Sequence, residues 1–156
     1  MDIPISLQTG NILVAGGNGF IGKHVVKKLT KMGYSVTILD RLHDSPNENI
    51  NFILGDIRNN NLIQEIASKN DGIINLAGIL GTSETIDNPR GTISSNMLGA
   101  LNIFNAAKEY NIPIVHITVG NYWMNNPYAI TKHAAEKMAL HFNEKFGTKI
   151  TVIRGL

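Results

Sequence analysis

The stretch Asn11–Gly22, NILVAGGNGFIG, joins a short apolar run to a glycine-rich turn. The run NILVA is nearly all apolar, which is typical of a parallel strand buried on both faces of its sheet. The turn fits G-x-G-x-x-G at Gly17, Gly19 and Gly22, and it also fits G-x-x-G-x-x-G when Gly16 replaces Gly17. Glycines there let the backbone approach a pyrophosphate, and the helix that follows offers free N–H groups at its N-terminus. We therefore predict a strand, a dinucleotide-binding loop and a helix.

The whole loop is a candidate cofactor site, so Asn18, Phe20 and Ile21 join the four glycines as predicted cofactor-binding residues. The alternative is a tight strand–helix turn that binds no ligand. Asp40 ends the next apolar run, eighteen residues after the last glycine of the motif. A carboxylate there accepts hydrogen bonds from ribose hydroxyls and repels a 2′-phosphate, which favours NAD over NADP. Arg41 follows directly, and it either pairs with such a phosphate or is a solvated charge at the start of a loop.

Apolar runs typical of strands alternate with helical patterns along the rest of the chain. The predicted strands after Asn11–Ala15 are Ser35–Asp40, Ile50–Leu54, Gly72–Leu76, Ile112–Thr118 and Lys149–Arg154. The predicted helices are Phe20–Met32, Asn60–Lys69, Gly91–Tyr110 and Pro127–Phe146. This alternation predicts an α/β fold with a doubly wound parallel sheet of the Rossmann type, in the strand order 3-2-1-4-5-6. We assign residues 1–156 to one domain, with the ligand beyond the carboxyl ends of the strands.

The composition fits a globular protein and excludes several kinds of site. The 156 residues carry a net charge of +2, 43% are hydrophobic and none is Cys, so disulfides, Cys–Zn sites and thiol nucleophiles are excluded. No basic stripe predicts a nucleic-acid partner, and no apolar run approaches the roughly 20 residues of a membrane span. The five His residues form no metal-binding pattern. We expect no metal, no membrane span, no secretory leader and a cytoplasmic location.

Tyr128 and Lys132 lie four residues apart in a segment with helical periodicity, so both side chains fall on one face of a helix. A free tyrosine has a pKa of ~10 and is a poor base at neutral pH, whereas a nearby ammonium favours the phenolate. The pair therefore fits an acid–base device in which Lys132 lowers the pKa of Tyr128. The alternative is a helix-face tyrosine beside a solvated lysine.

Five motifs taken together resemble the extended short-chain dehydrogenase/reductase superfamily, and within it the NAD-dependent sugar-nucleotide epimerases and dehydratases. They occur in order over nearly the whole chain: GGNGFIG, Asp40, Gly55-Asp56-Ile57, Asn75-Leu76-Ala77-Gly78 and Tyr128-x-x-x-Lys132. The resemblance implies NAD as cofactor, a nucleotide-sugar substrate and transient oxidation of the sugar. Tyr128 would take a hydroxyl proton while hydride leaves the same carbon, and Lys132 would also hold the nicotinamide ribose.

The resemblance also implies roles for cofactor residues outside the glycine loop. It places Asp56 and Ile57 beside the adenine, although Asp56 taken alone equally fits a helix N-cap. It makes Asn96 the residue that braces the active-site backbone. Three residues after the fourth predicted strand would line the cofactor: Leu76, Ala77 and Gly78.

The loop between the fifth predicted strand and the last helix departs from the family pattern. Thr118 precedes Tyr128 by only ten residues, so the loop is shorter than in the family. The resemblance implies Thr118 as the hydroxyl that hydrogen-bonds the reacting oxygen, with Thr82 and Ser83 as alternative substrate-binding hydroxyls. Tyr122 and Trp123 lie in the loop, where they either pack as a plug or stack on a ligand ring.

The chain stops at Leu156, where relatives continue into a smaller C-terminal domain that holds the nucleotide sugar. We therefore expect a truncated chain that binds NAD and turns over sugar nucleotides negligibly. Relatives also dimerise through the helices that match Gly91–Tyr110 and Pro127–Phe146, so we expect a homodimer. The predicted contact stripe is Ala100, Ile103, Phe104, Ala107, Ala135, Met138, Ala139 and Phe142. The leading function is an NAD-dependent epimerase, dehydratase or reductase core, and the alternative is a non-catalytic NAD-binding or regulatory module.

Overall fold

The computed structural model describes residues 10–43 and 50–155, so the expected chain end at Leu156 lies outside the described residues. The strands are β1 Asn11–Ala15, β2 Ser35–Asp40, β3 Asn51–Leu54, β4 Gly72–Asn75, β5 Ile114–Val119 and β6 Ile150–Gly155. The helices are α1 Phe20–Lys31, α2 Asn60–Ala67, α3 Thr82–Asp87, α4 Pro89–Ile93, α5 Ala100–Tyr110 and α6 Pro127–Phe146. A π-helical segment, Ser94–Gly99, joins α4 to α5.

The six strands form one parallel sheet in the order β3-β2-β1-β4-β5-β6, which confirms the predicted doubly wound arrangement. The order reverses beside β1, because the chain runs outward through β2 and β3 before it returns to β4. Ligands of such sheets bind in the crevice at this reversal, beyond the carboxyl ends of the strands. Ala15 pairs with Asn75, so the glycine loop after β1 lies beside the loop after β4.

Two apolar layers hold the helices against the sheet. Successive side chains of a strand point to opposite faces, so Leu13 and Val14 of β1 enter different layers. The layer under α2, α5 and α6 includes Leu13, Leu39, Ile63, Phe104 and Phe142. The layer under α1 includes Val14, Val26, Val36 and Ile38.

The apolar stripe predicted to form a dimer contact belongs to the monomer core instead. Only Met138 of its eight members is exposed. The buried members are Ala100, Ile103, Phe104, Ala107, Ala135, Ala139 and Phe142. A helical apolar stripe has the same periodicity whether it faces its own sheet or a partner molecule. The assignment of these seven buried residues to a dimer contact was therefore wrong.

The largest difference from the predicted elements is the break in the long helix Gly91–Tyr110. It is divided among α4, the π-helical segment and α5, and α3 before it was not predicted. β5 begins later than predicted because Pro113 has no N–H to donate, and its carbonyl accepts from the amide of Ile73 at 3.1 Å. The remaining boundaries agree or differ by at most two residues. No helix within the described residues is both long and apolar enough to span a membrane.

Candidate functional site

A cleft of about 460 Å³ lies at the carboxyl ends of the strands. Its walls come from the glycine loop and from the loops after β2, β3 and β4. Most of the predicted cofactor residues line it: Gly16, Asn18, Gly19, Asp40, Arg41, Asp56, Ile57, Leu76, Ala77 and Gly78. Among the other predicted cofactor residues, Phe20 and Ile21 begin α1 with exposed side chains.

The glycine loop has a shape that side chains would not permit. Gly16 has a φ of +80°, and a Cβ on it would lie 2.8 Å from the backbone nitrogen of Ala77. A Cβ on Gly22 would overlap the carbonyl oxygen of Gly16. The loop therefore lies directly against the loop after β4, and its backbone amides and the start of α1 border the cleft.

Asp40 is fixed at the mouth of the cleft by backbone amides. Its Oδ2 accepts from the amide of Asn18 at 3.0 Å, and its Oδ1 accepts from the amide of Leu42 at 3.2 Å. The Asn18 side chain in turn donates to the carbonyl of Leu42 at 2.7 Å. Each carboxylate oxygen has further lone pairs, so Asp40 can still accept from a ribose hydroxyl. Arg41 is exposed beside it.

Asp56 binds a side chain of its own loop and does not cap α2. The guanidinium of Arg58 donates to both carboxylate oxygens, at 2.6 to 3.0 Å, and this hydrogen bonding holds the pKa of Asp56 below its usual value. The N-cap of α2 is Asn59, whose side chain accepts from the amide of Leu62. The interpretation of Asp56 as a helix cap was therefore wrong.

Two buried asparagines hold the backbone after β4. Asn75 accepts from the amide of Ala77 at 3.2 Å, and its Nδ2 lies 3.1 Å from Nδ1 of His116 on the neighbouring strand. Asn96 accepts from the amide of Ile79 at 2.8 Å and donates to the carbonyl of the same residue at 3.1 Å. Asn96 lies in the π-helical segment, a distortion that is frequent at functional sites.

His116 is a buried neutral imidazole behind this loop. Burial first, and then the charge of Lys132, lowers its pKa from 6.5 to about 3. The edge of its ring meets Phe104, with the ring centroids 5.2 Å apart. The imidazole therefore stays uncharged at neutral pH and does not compete with Lys132 for an anion.

Lys132 places a buried ammonium beside the cleft. The residue is only 2% exposed, and a Cβ on Gly78 would lie 3.9 Å from its Nζ. Within the described residues, no side chain or carbonyl accepts a hydrogen bond from this ammonium. Burial lowers the pKa of Lys132 from 10.5 to about 8. A buried cation without an internal partner is costly, and such groups are typical of functional sites.

Tyr128 lies one helical turn before Lys132 and is half-buried. Its hydroxyl makes no hydrogen bond within the described part of the chain. Burial raises the pKa of Tyr128 above 10.0. The prediction that Lys132 lowers the pKa of Tyr128 is wrong for the chain by itself, because burial dominates.

The hydroxyl of Thr118 is engaged by the backbone. The residue is 3% exposed, and its Oγ1 donates to the carbonyl oxygen of Lys132 at 3.0 Å. A hydroxyl has a single proton to donate, so Thr118 has none left for a substrate oxygen in this arrangement. The donor role of Thr118 toward a substrate stays a prediction. In this structure its hydroxyl attaches β5 to α6 at Lys132.

Of the two loop aromatics, Tyr122 packs against neighbouring side chains, whereas Trp123 is exposed. One face of Tyr122 stacks on His133 at 5.2 Å, and the guanidinium carbon of Arg154 lies 5.0 Å from the ring centroid. Trp123 is exposed and meets the ring of Tyr122 edge-on. This geometry fits the packing interpretation of Tyr122. Of the alternative hydroxyls, Ser83 is exposed near the start of α3, and the side chain of Thr82 lies outside the described structure.

Comparison with known proteins gives this geometry its context. The sequence profile of the NAD-dependent epimerase/dehydratase family matches residues 12–120. The chain belongs to this family. The match confirms the resemblance that the five motifs predicted, and the family is NAD-dependent.

Individual relatives agree with the family assignment. A putative UDP-glucose 4-epimerase of Methanocaldococcus jannaschii is 32% identical over 165 residues, covering 92% of this chain and 54% of that relative. The bifunctional UDP-glucose 4-epimerase and UDP-xylose 4-epimerase 3 of Arabidopsis thaliana is 36% identical over 118 residues, covering 65% of this chain and 34% of that relative. The chain therefore spans about a third to about half the length of these relatives.

Solved structures of the family have the same fold. The UDP-glucose 4-epimerase of Thermotoga maritima, solved with UDP-glucose, superposes with a TM-score of 0.86 at 28% identity, over 92% of this chain and 54% of that one. The Thermus thermophilus UDP-glucose 4-epimerase, solved in complex with NAD, gives 0.83 at 25% identity, over 92% and 54%. The close approach at Gly16, the carboxylate of Asp40 and the unpartnered ammonium of Lys132 together fit NAD.

Proposed function

We propose that this chain forms the NAD-binding and proton-transferring core of an epimerase-type enzyme that acts on nucleotide sugars. One observation carries the proposal: a buried ammonium without an internal partner lies beside Gly78 and one helical turn from a tyrosine hydroxyl that is also free. Proton transfer needs groups that are held in place yet not occupied by the protein itself. We also place the protein in the cytoplasm, a location that its cysteine-free sequence permits.

Each part of the site has a task in this proposal. The glycine loop and the start of α1 hold a pyrophosphate, and Asp40 accepts from the adenosine ribose. Lys132 donates to a ribose hydroxyl near Gly78 and supplies positive charge next to Tyr128. The Tyr128 hydroxyl takes and returns a proton at the substrate oxygen. NAD, when bound, supplies the hydride acceptor.

The direct test is whether the chain reduces bound NAD with a nucleotide sugar. Purified protein, NAD and UDP-glucose are mixed, and NADH absorbance together with sugar interconversion is followed. Interconversion that depends on Tyr128 supports the proposal. Tight NAD binding with neither signal, for UDP-glucose and for other nucleotide sugars, favours the second candidate when it is found in a protein of the relatives' full length.

That second candidate is a non-catalytic NAD-binding or regulatory module. The engagement of the Thr118 hydroxyl by the backbone of Lys132 favours it, because the polarising donor expected after β5 is occupied. The unpartnered hydroxyl of Tyr128 favours catalysis, and we give it more weight, because NAD binding alone would use the ammonium of Lys132 but not this hydroxyl.

We predict that replacing Asp40 by alanine weakens NAD binding and narrows the preference over NADP. The variant loses a charge-assisted hydrogen bond to the ribose, worth about 1.5–3 kcal/mol, or about 10- to 100-fold in affinity. The variant also lacks the negative charge that would repel the 2′-phosphate of NADP beside Arg41. Titration calorimetry with both cofactors measures the change, with Glu109→Ala at the far end of α5 as a matched carboxylate control. Equal affinity of the wild-type chain for both cofactors would refute the role of Asp40.

We also propose a homodimer through the outer faces of the π-helical segment and α6. Most of the predicted stripe is buried in the core. The apolar side chains that are exposed on these outer faces are Leu98, Ile130, Met138 and Leu140. The resemblance to dimeric relatives supports the choice of a second copy as partner.

We predict that Leu98→Glu and Met138→Glu each convert the dimer to a monomer, since each places a charge in an apolar contact. Light scattering coupled to size exclusion measures the mass. Leu54→Glu on the exposed edge of the sheet serves as the control and should leave the dimer intact. A wild-type protein that is monomeric at high concentration argues against the proposal.

A further inference from the structure

We propose that Arg154 is a positioning residue that holds the loop between β5 and α6, residues 120–126, at the mouth of the site. Its guanidinium binds a buried carboxylate on α6, and the guanidinium carbon lies over the ring of Tyr122 in the middle of the loop. The inferred position of the loop depends on these contacts alone. Its consequence for a substrate rests on the proposed function.

The first contact is with Glu136, whose side chain is only 4% exposed. Arg154 donates from Nη2 to Oε1 at 2.5 Å and from Nε to Oε2 at 3.3 Å. This two-point pairing fixes the plane of the guanidinium as well as its position. The hydrogen bonds from Arg154 hold the pKa of Glu136 below its usual value, so the carboxylate stays charged at neutral pH.

The second contact is with the ring of Tyr122, which contacts both the cation of Arg154 and the imidazole of His133. The guanidinium carbon of Arg154 is 5.0 Å from the ring centroid, within the range of a cation–π interaction. The ring also stacks on His133 with an interplanar angle of 24°. Nδ1 of His133 lies 3.9 Å from Glu136. The four side chains thus tie together the loop, α6 and β6.

The contacts at the two ends of the loop show why the contact at Tyr122 matters for the position of its middle. The loop begins where the amide of Gly120 donates to the carbonyl of Gly155 at 2.6 Å. It ends where the side chain of Asn126 caps α6 by accepting from the amide of Ala129 at 2.9 Å. Both ends are therefore fixed by a hydrogen bond to backbone, whereas the middle contacts the rest of the protein through the ring of Tyr122.

This arrangement places the loop relative to the acid–base pair. His133 follows Lys132 directly, and Glu136 lies one turn further along the same helix. The loop borders the start of α6, where Tyr128 lies. Arg154 therefore fixes the position of the loop relative to that helix. A substrate that enters between the loop and Tyr128 meets a wall whose position Arg154 sets.

If Arg154 and Glu136 formed only an ordinary surface ion pair, substitution of Arg154 would have a different effect on the loop. The Arg154 side chain is 48% exposed, and exposed pairs add little to stability. Lysine at this position keeps the charge near Glu136 but has neither the planar edge nor the face that lies on Tyr122. If the role is positional, Arg154→Lys should free the loop. If the role is only charge pairing, the same variant should behave as wild type.

The sequence carries its own probe for the test, because Trp123 is its only tryptophan and lies next to Tyr122. Time-resolved fluorescence anisotropy reports nanosecond motion of this indole. We expect Arg154→Lys and Tyr122→Leu to show a larger fast-decaying fraction than wild type. Tyr122→Phe keeps the ring and should restore the wild-type decay. Lys145→Gln, which removes an exposed charge on the same helix, is the matched control.

Two further measurements separate this inference from the proposed function. Circular dichroism checks that each variant is folded, and titration calorimetry should show NAD affinity within about twofold of wild type, since the contact lies outside the cleft. Where a nucleotide sugar is turned over, Arg154→Lys should raise KM more than it lowers kcat. Absence of turnover in wild type counts against the proposed function and leaves the anisotropy result standing. Unchanged anisotropy in folded Arg154→Lys and Tyr122→Leu would overturn the inference.

Discussion

Replacing Lys132 by methionine is expected to stabilise the folded chain by about 3 kcal/mol and to remove most of its affinity for NAD. A lysine whose pKa is 10.5 in the unfolded chain and about 8 in the folded one costs about 3 kcal/mol at neutral pH. Methionine fills a similar volume without a charge. The same substitution removes the ammonium beside Gly78, which is the proposed hydrogen-bond donor to the cofactor. Stability and function are therefore expected to move in opposite directions.

The pH dependence of this effect has a definite sign. The folded pKa is depressed, so between pH 10.5 and about 8 the folded state binds fewer protons than the unfolded state. The stability associated with Lys132 is present above pH 10.5, falls as the pH drops through this window and is constant below about 8. The advantage of the methionine variant should thus be largest at neutral pH and shrink toward pH 10.5.

Denaturant unfolding near neutral pH and at the upper end of this window measures the difference between variant and wild type. Lys137→Met provides the control, because this lysine is exposed on the same helix. An exposed substitution of this kind should change the unfolding free energy by less than about 0.5 kcal/mol. A Lys132→Met variant less stable than wild type would mean that the ammonium has a partner in the folded protein.

The fold follows from sequence because its signals are local. The apolar run Asn11–Ala15, the glycines after it and the alternation of strand and helix periods each act within a few residues. Right-handed crossovers then leave few ways to arrange six parallel strands. Gly16, Asp40 and Lys132 could also be assigned from the motifs, since each lies at the carboxyl end of a strand or on the helix that reaches it.

What sequence could not predict depends on which side chain turns toward which neighbour. Thr118 follows the motif pattern of a donor, but its hydroxyl reaches the carbonyl of Lys132, fourteen residues away. His116 pairs with Asn75 only because parallel register sets them side by side. The partners Glu136 and Arg154 are separated by eighteen residues with no local signal.

The polar groups at the carboxyl edge divide into two kinds. The side chains of Asn75, Asn96 and Thr118 all bind the backbone, and they hold the loop after β4 and the joint between β5 and α6. Tyr128 and Lys132 have no such partner among the described residues. Of these five residues, the fold thus occupies the side chains of three and leaves free the two that the proposed proton transfer uses. This difference between neighbours supports the acid–base assignment independently of the sequence motif.

Where a nucleotide sugar is turned over, replacing Tyr128 by phenylalanine is therefore expected to lower the turnover by about 10²- to 10⁴-fold, the usual contribution of general acid–base catalysis. NAD affinity should stay within about twofold, because the ring is retained and the ammonium of Lys132 is unaffected. Tyr110→Phe, at the end of α5, is the matched control and should turn over at the wild-type rate. Full activity of Tyr128→Phe would remove the acid–base role.

A second measurement on the same variant does not require turnover. Burial raises the pKa of Tyr128 in the chain by itself, so its phenol should stay protonated above pH 10.0. A positively charged nicotinamide ring in the cleft would add to the charge of Lys132, and together they favour the phenolate. The ultraviolet spectrum of wild type minus Tyr128→Phe isolates this one phenol. Its titration should move to lower pH when NAD is added. It should remain in place when Lys132→Met is used as the background, because that variant has lost both the ammonium and the bound cofactor.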